Sequence, residues 1–338
     1  MSIKRSSLIR LFTAGIIYAV FAVHLYWPYL SKFDRWRYLL VVNVCLASLG
    51  SYVLSRRWVA GFAESFFAGA IYGFGPFILG LAKFHPTTGL LAAAIPWLFF
   101  PAAFGFKEKR RWLRIPLVVL PFLAIVLFFQ ASTYYRLFAV STQARLNPAD
   151  LTGLFAPLIM AKQNLTLVGF YHIPISPLVI GFCMMLAARR YSVILIIAAG
   201  TALAFCGSFY EVSPVIWLAA PVLCCSVLIG EGMQGLSSAG FTDRWWIVVT
   251  VVIMAALSIV TLLLASKYFQ TFLGLGAGYA KLFTEAGKMY ALGAIVAAII
   301  FFMIRAKLRM RLLRQLVLCA AMGVDIFIGA RYIVDRIM

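Results

Sequence analysis

The chain has 338 residues, 64% of them hydrophobic and only 12% charged, with 30 Lys and Arg against 10 Asp and Glu and a formal net charge of +20. A soluble domain is about half apolar and about a quarter charged, so this composition excludes a water-soluble globule. The basic residues fall between apolar runs instead of lining one face, which excludes a nucleic-acid-binding stripe and fits the positive-inside pattern of membrane loops facing anionic headgroups.

A helix that crosses the hydrocarbon layer needs roughly 17–25 mainly apolar residues. On that rule the sequence predicts an all-α polytopic bundle of about eleven spans: 8–30, 37–54, 60–82, 88–104, 112–131, 173–188, 192–209, 214–230, 245–265, 289–304 and 314–333. The basic segment before the first span resembles a signal peptide, but its apolar run is too long for one; an uncleaved first helix is expected. With the N-terminus in the cytoplasm, 18 of the 30 basic residues fall in cytoplasmic segments, including the clusters 107–114 and 305–314. An odd number of spans then places the C-terminus outside. Residues 1–338 read as a single integral membrane domain with two long external segments, about 132–172 and 266–288. Both carry aromatics (Tyr134, Tyr135, Phe138, Tyr268, Phe272) and are expected to form short interfacial helices.

Pro76, Pro96, Pro101, Pro116, Pro121, Pro177 and Pro221 sit in or beside spans, where neighbouring groups can satisfy the carbonyl that a proline leaves unpaired. The six cysteines lie in apolar segments without metal-ligand spacing and read as small buried hydrophobes. His24, His85 and His172 all fall near external span ends, too scattered to define a metal site. A haem would need two of them facing each other at one depth. The sequence therefore names no metal and no cofactor.

The ten acids divide by position. Glu108 and Asp243 lie in basic turns, Glu285 is four residues from Lys281, and Asp335 stands beside Arg331 and Arg336; local pairing accounts for these. Glu231 closes the eighth span. Glu64 and Asp325 fall inside spans, where an ionisable group is expensive and is a functional candidate by default. Asp325, midway along the last span, requires a partner from another helix, a water or a proton. Asp34, Asp150 and Glu211 are the external acids.

The stretch 41–103 contains Asn43, then Gly50-Ser-Tyr-Val-Leu-Ser-Arg-Arg, Ala68-Gly-Ala-Ile-Tyr-Gly-Phe-Gly-Pro-Phe, His85-Pro and Ala94-Ile-Pro-Trp. It resembles the early part of YfhO-like bacterial membrane proteins, grouped with the GT-C glycosyltransferase superfamily. Ser208-Phe-Tyr-Glu-Val-Ser-Pro-Val is similar to another part of such proteins. The resemblance implies a multi-pass protein of the bacterial inner membrane that transfers a sugar from a polyprenyl-phosphate carrier at the external face. It would place the acid Asp34 in the first external loop as general base or acceptor-orienting group, with Asp150 and Glu211 as further acids. Arg35, Arg37, Arg136 and Arg145 would hold the lipid phosphate, a task suited to bidentate guanidinium groups. The departure is the first external loop, which spans only about 31–36 where those enzymes carry a long one. A second expectation is therefore a non-catalytic subunit or assembly factor that partners other membrane chains. A third is a transporter or lipid translocator working through Glu64 and Asp325, which would need broken helices.

Overall fold

The structure is a computed structural model and describes residues 5–32, 38–104, 114–135, 146–154, 156, 169–208, 212–240, 243–272, 277–306 and 310–338. Among the described residues the fold is all-α, without strands. Among these residues thirteen α-helices follow in chain order: α1 Arg5–Tyr26, α2 Tyr38–Ser55, α3 Phe62–Gly73, α4 Pro76–Phe84, α5 Pro86–Phe104, α6 Arg114–Tyr134, α7 Ile175–Ala187, α8 Tyr191–Phe205, α9 Ala219–Ser238, α10 Arg244–Leu264, α11 Lys267–Phe272, α12 Ala277–Arg305 and α13 Arg311–Ile337. Among the described residues, eight stretches are long and apolar enough to cross a membrane, and three shorter apolar helices accompany them: Val119–Tyr134, Ile175–Ala187 and Tyr191–Phe205. The chain is a multi-pass membrane protein.

Its surface is consistent with a lipid solvent. Ile9, Phe12, Ile16 and Val20 line the outward face of α1, where only 22% of the spanning window is buried, whereas 94% of the window across Phe62–Phe84 is enclosed. In water the first pattern would be an aggregation liability; in hydrocarbon it costs nothing.

The chain folds into two compact units. The first comprises residues 1–147, 191–227 and 338. Its centre is the crossing of α2 and α3, which small residues make possible. Gly69 and Gly73 are four apart on one face of α3, the small-xxx-small spacing that lets membrane helices touch backbone to backbone. A Cβ on Gly73 would stand 2.7 Å from both Ser48 N and Val44 O of α2. Tyr18 of α1 adds a hydrogen bond from its hydroxyl to Phe66 O at 2.6 Å.

The span drawn at 60–82 is not one helix. The α3 helix ends at Gly73, Phe74 closes it with its N–H on Ala70 O, and Gly75 then caps α4, whose first residue is Pro76. Proline suits that position because the first-turn N–H has no helical partner anyway. Inside α5, Pro96 cannot donate to the carbonyl of Ala92, four residues back. The Tyr72 hydroxyl on α3 donates to Ala92 O instead, at 2.6 Å, wholly buried. One tyrosine thus satisfies the acceptor that the proline orphans, which a lipid-immersed helix requires.

The second unit comprises residues 148–190 and 228–337. Here α7 and α9 cross as closely as α2 and α3: a Cβ on Gly181 would meet the carbonyl of Leu228, and one on Gly232 would meet the carbonyl of Pro177. The antiparallel pair α10 and α12 is tied by Ser258 Oγ donating to Gly287 O at 2.8 Å, with Met254 seated on Gly293. The α12 helix begins at Ala277, twelve residues before the span drawn at 289, so much of the expected external segment 266–288 is helix. Its first turns carry Lys281, Glu285 and Lys288, polar residues that a hydropathy window reads as loop. Glu285 pairs with Lys288 at 2.9 Å instead of with Lys281. Asp335 pairs with Arg331 at 3.0 Å, and Glu231 with Arg190 at 2.8 Å.

Replacing Tyr72 by Phe should cost about 1–3 kcal/mol by stranding the buried Ala92 carbonyl. In a Pro96→Ala background, where residue 96 regains an N–H, the same replacement should cost much less. Unfolding of the four proteins in mixed detergent micelles measures the cycle, and equal costs in both backgrounds would show that Tyr72 does not serve the carbonyl.

Candidate functional site: a buried histidine and aspartate

The second unit holds a buried polar centre. Asp325 lies midway along α13, Arg311–Ile337, and is 1% exposed. Facing it is the stretch from Gly169 to Pro174, which is not helical and leads into α7. Irregular backbone is tolerated inside a bilayer only where protein covers it. The covering is complete: Tyr171 and Ile173 are fully buried and His172 is 1% exposed.

The geometry follows from what that backbone lacks. The N–H of Ile173 precedes α7 and has no helical acceptor. Asp325 Oδ2 accepts it at 2.6 Å. The other carboxylate oxygen, Oδ1, faces His172 Nδ1 at 3.2 Å. With the carboxylate ionised, both of its oxygens accept, Nδ1 carries the proton of the pair and the neutral imidazole presents its lone pair on Nε2. The Tyr290 ring of α12 stands edge-on to the imidazole with centroids 5.0 Å apart. Gly329, one turn after Asp325 on the same face of α13, leaves room for the Tyr171 ring, and Gly293 of α12 lies under the backbone of Ile173. The glycine at 329 therefore lets this non-helical segment pack closely against α13.

One atom of this centre is left over. His172 Nε2 is buried and has no hydrogen-bond partner among the described residues. A carboxylate that fixes one imidazole nitrogen while the other stays open is the arrangement by which proteins orient a proton acceptor or a metal ligand. Among the described residues no group of three or more His, Cys, Asp or Glu could hold a metal ion.

Asp150 belongs to the same unit. It is 2% exposed, in the 3₁₀ turn Pro148–Leu154. That turn rests on Gly169, whose φ of +142° favours glycine and whose missing side chain admits the carbonyl of Gly153. The turn bearing Asp150 thus stacks on the segment that carries His172. Asp34, Glu211, Arg35, Arg37, Arg136 and Arg145 lie outside the described residues.

Glu64 sits in the first unit, buried in the first turn of α3. Its carboxylate folds back over Gly61, the residue that caps the helix, where the positive end of the helix dipole favours an anion. Nearby, Arg56 directs its guanidinium at the carbonyls of Val59, Ala60 and Gly61, the last at 2.9 Å. Glu64 therefore sits where a carboxylate fixes a helix start. The other histidines lie in the first unit: His24 is exposed on α1, and His85 joins α4 to α5, its imidazole pushed below the usual range by burial.

No family model matches this chain, and neither any curated protein nor any solved structure does.

Asp325→Ala should destabilise the protein by about 3–5 kcal/mol, because it strands a buried imidazole and a buried N–H together. Asp325→Asn, which keeps an acceptor for Ile173, should cost about 1–2 kcal/mol. Thermal unfolding in detergent orders the two; an Ala variant as stable as the parent would show that the pair holds nothing.

Proposed function

We propose that this chain is a membrane transporter or translocator whose His172–Asp325 pair takes up and releases a proton. The observation that carries this reading is His172 Nε2, buried without a protein partner among the described residues, in an imidazole whose other nitrogen faces a carboxylate. Ionisable groups inside bundles mark proton relays and ion paths. Transport sites of this kind form where a short or broken helix ends inside the bilayer. Two such interruptions support the reading: α7, only 13 residues long and starting beside Asp325, and the α3–α4 break at Phe74 and Gly75. In this reading the eight long stretches and the three short apolar helices together make eleven crossings, with the N-terminus inside and the C-terminus outside as the basic clusters require. The pair then lies in the outer half of the bilayer.

A second reading is sugar transfer from a polyprenyl-phosphate carrier at the external face of a bacterial inner membrane, as the YfhO-like resemblance implies. It is favoured by the burial of Asp150 in a turn that rests on the segment leading to His172. Asp34, Asp150 and Glu211 would supply the acids, and Arg35, Arg37, Arg136 and Arg145 the phosphate grip.

Protein reconstituted in vesicles, with pyranine inside and a potassium–valinomycin potential negative inside, should admit protons. His172→Gln and Asp325→Asn should each reduce entry at least about tenfold while the proteins remain folded. Parent vesicles as tight as empty ones, or both variants as permeable as the parent, would refute the proton reading. For the second reading, Asp34→Asn and Asp150→Asn should each abolish release of radiolabelled sugar from a polyprenyl-phosphate donor; full transfer by both would remove it.

A further inference from the structure

The antiparallel helices α10 and α12 meet closely in one half and part in the other. They are closed where Ser258 meets Gly287 and Met254 meets Gly293. Towards the start of α10 and the end of α12 the small residues give way to large ones, and the helices leave a groove of 470 Å³. Arg244, Trp245 and Val248 form one wall, positions i, i+1 and i+4 of α10. Phe301, Ile304 and Arg305 form the other, positions i, i+3 and i+4 of α12. The i, i+3 and i, i+4 partners among them share a helix face, so each helix turns an arginine and apolar side chains towards the same space.

The chemistry is sorted along the groove. Both arginines are at the helix ends: Arg244 is the first residue of α10 and Arg305 the last of α12. Both are exposed. The N-terminus of α10 adds its partial positive charge to the same end. The Arg244 guanidinium lies over the Trp245 ring, 5.9 Å from its centroid. Below the arginines the lining is wholly apolar. The surface around the groove is apolar too, with Trp245 68%, Val252 60% and Phe302 61% exposed. A tryptophan and an arginine at the end of a membrane-crossing helix mark the headgroup level. A nucleic acid or an acidic protein would match the two charges but not the apolar cleft beneath them or the lipid-facing surface beside them.

We propose that this groove is a binding site for an anionic phospholipid, its phosphate held by Arg244 and Arg305 and one acyl chain laid along Val248, Phe301 and Ile304. Basic pockets between membrane helices at the cytoplasmic side suit such headgroups. The site is separate from the buried pair. Arg305 lies twelve residues beyond Gly293 on α12, roughly 18 Å along the helix axis. The assignment does not depend on proton transport.

The test uses the full chain, delipidated in a neutral maltoside detergent and titrated with dioleoyl-phosphatidylglycerol or dioleoyl-phosphatidylcholine while native mass spectrometry counts bound lipid. The parent should retain phosphatidylglycerol in preference to phosphatidylcholine. The double variant Arg244→Gln with Arg305→Gln should bind phosphatidylglycerol roughly 10- to 30-fold more weakly with phosphatidylcholine unchanged. Excess inorganic phosphate should not displace the lipid, because it lacks the chain that fills the cleft. Equal retention of the two lipids by the parent, undiminished phosphatidylglycerol binding by the double variant, or displacement by phosphate would each overturn the assignment. Val248→Trp, which fills the cleft and keeps both arginines, should weaken phosphatidylglycerol binding as well. It decides the matter alone if the double variant does not purify.

Discussion

A polar group carried into hydrocarbon must find its partner inside the protein, because no water waits there to replace one. Much of the second unit is a response to that rule at a single place. The backbone between Gly169 and Pro174 is not helical, so its N–H groups need acceptors from elsewhere. Asp325 supplies one to Ile173 and orients His172 with its other oxygen. Gly329 then has to be a small residue for the Tyr171 ring to lie against α13. The first unit meets the same rule with a neutral group: Pro96 orphans the Ala92 carbonyl and the Tyr72 hydroxyl serves it.

The two solutions differ in what they leave behind. Tyr72 and Ala92 close on each other with nothing to spare, which is the mark of a structural pin. The Asp325 arrangement could have been built equally tightly from an asparagine and an apolar neighbour. It uses instead a carboxylate and an imidazole, the two side chains that exchange protons most readily, and keeps one imidazole nitrogen open. In the proposed proton reading, that open nitrogen is the atom that takes up the proton.

Hydropathy made the helices legible, because lipid selects on one property that a sequence window can measure. It failed where polarity and structure part company. The break at Phe74 and Gly75 lies in the Gly-Phe-Gly-Pro run, but the run is apolar enough that averaging joins α3 to α4. The start of α12 at Ala277 was hidden by Lys281, Glu285 and Lys288, which sit on a helix that outruns the apolar stretch. The helix crossings had a readable signal in Gly69 and Gly73, four residues apart. Asp325 announced its need for a partner, but His172 stands 153 residues away, and a lone histidine before a proline-rich helix start carries no mark of pairing. Glu64 showed the opposite: an acid that looked misplaced in the membrane falls at the N-terminal turn of α3, and only the break of the chain before Phe62 reveals that turn.

The most direct test is the protonation pattern of the His172 ring. With only three histidines in the chain, uniform ¹⁵N-histidine labelling of the detergent-solubilised protein gives a spectrum that His172→Gln assigns by difference. In alkaline buffer, where an imidazole is neutral, His172 should show a protonated Nδ1 and a bare Nε2, with the Nδ1 signal shifting when Asp325 becomes Asn. A bare Nδ1 with a protonated Nε2, unchanged by Asp325→Asn, would contradict the proton-handling pair.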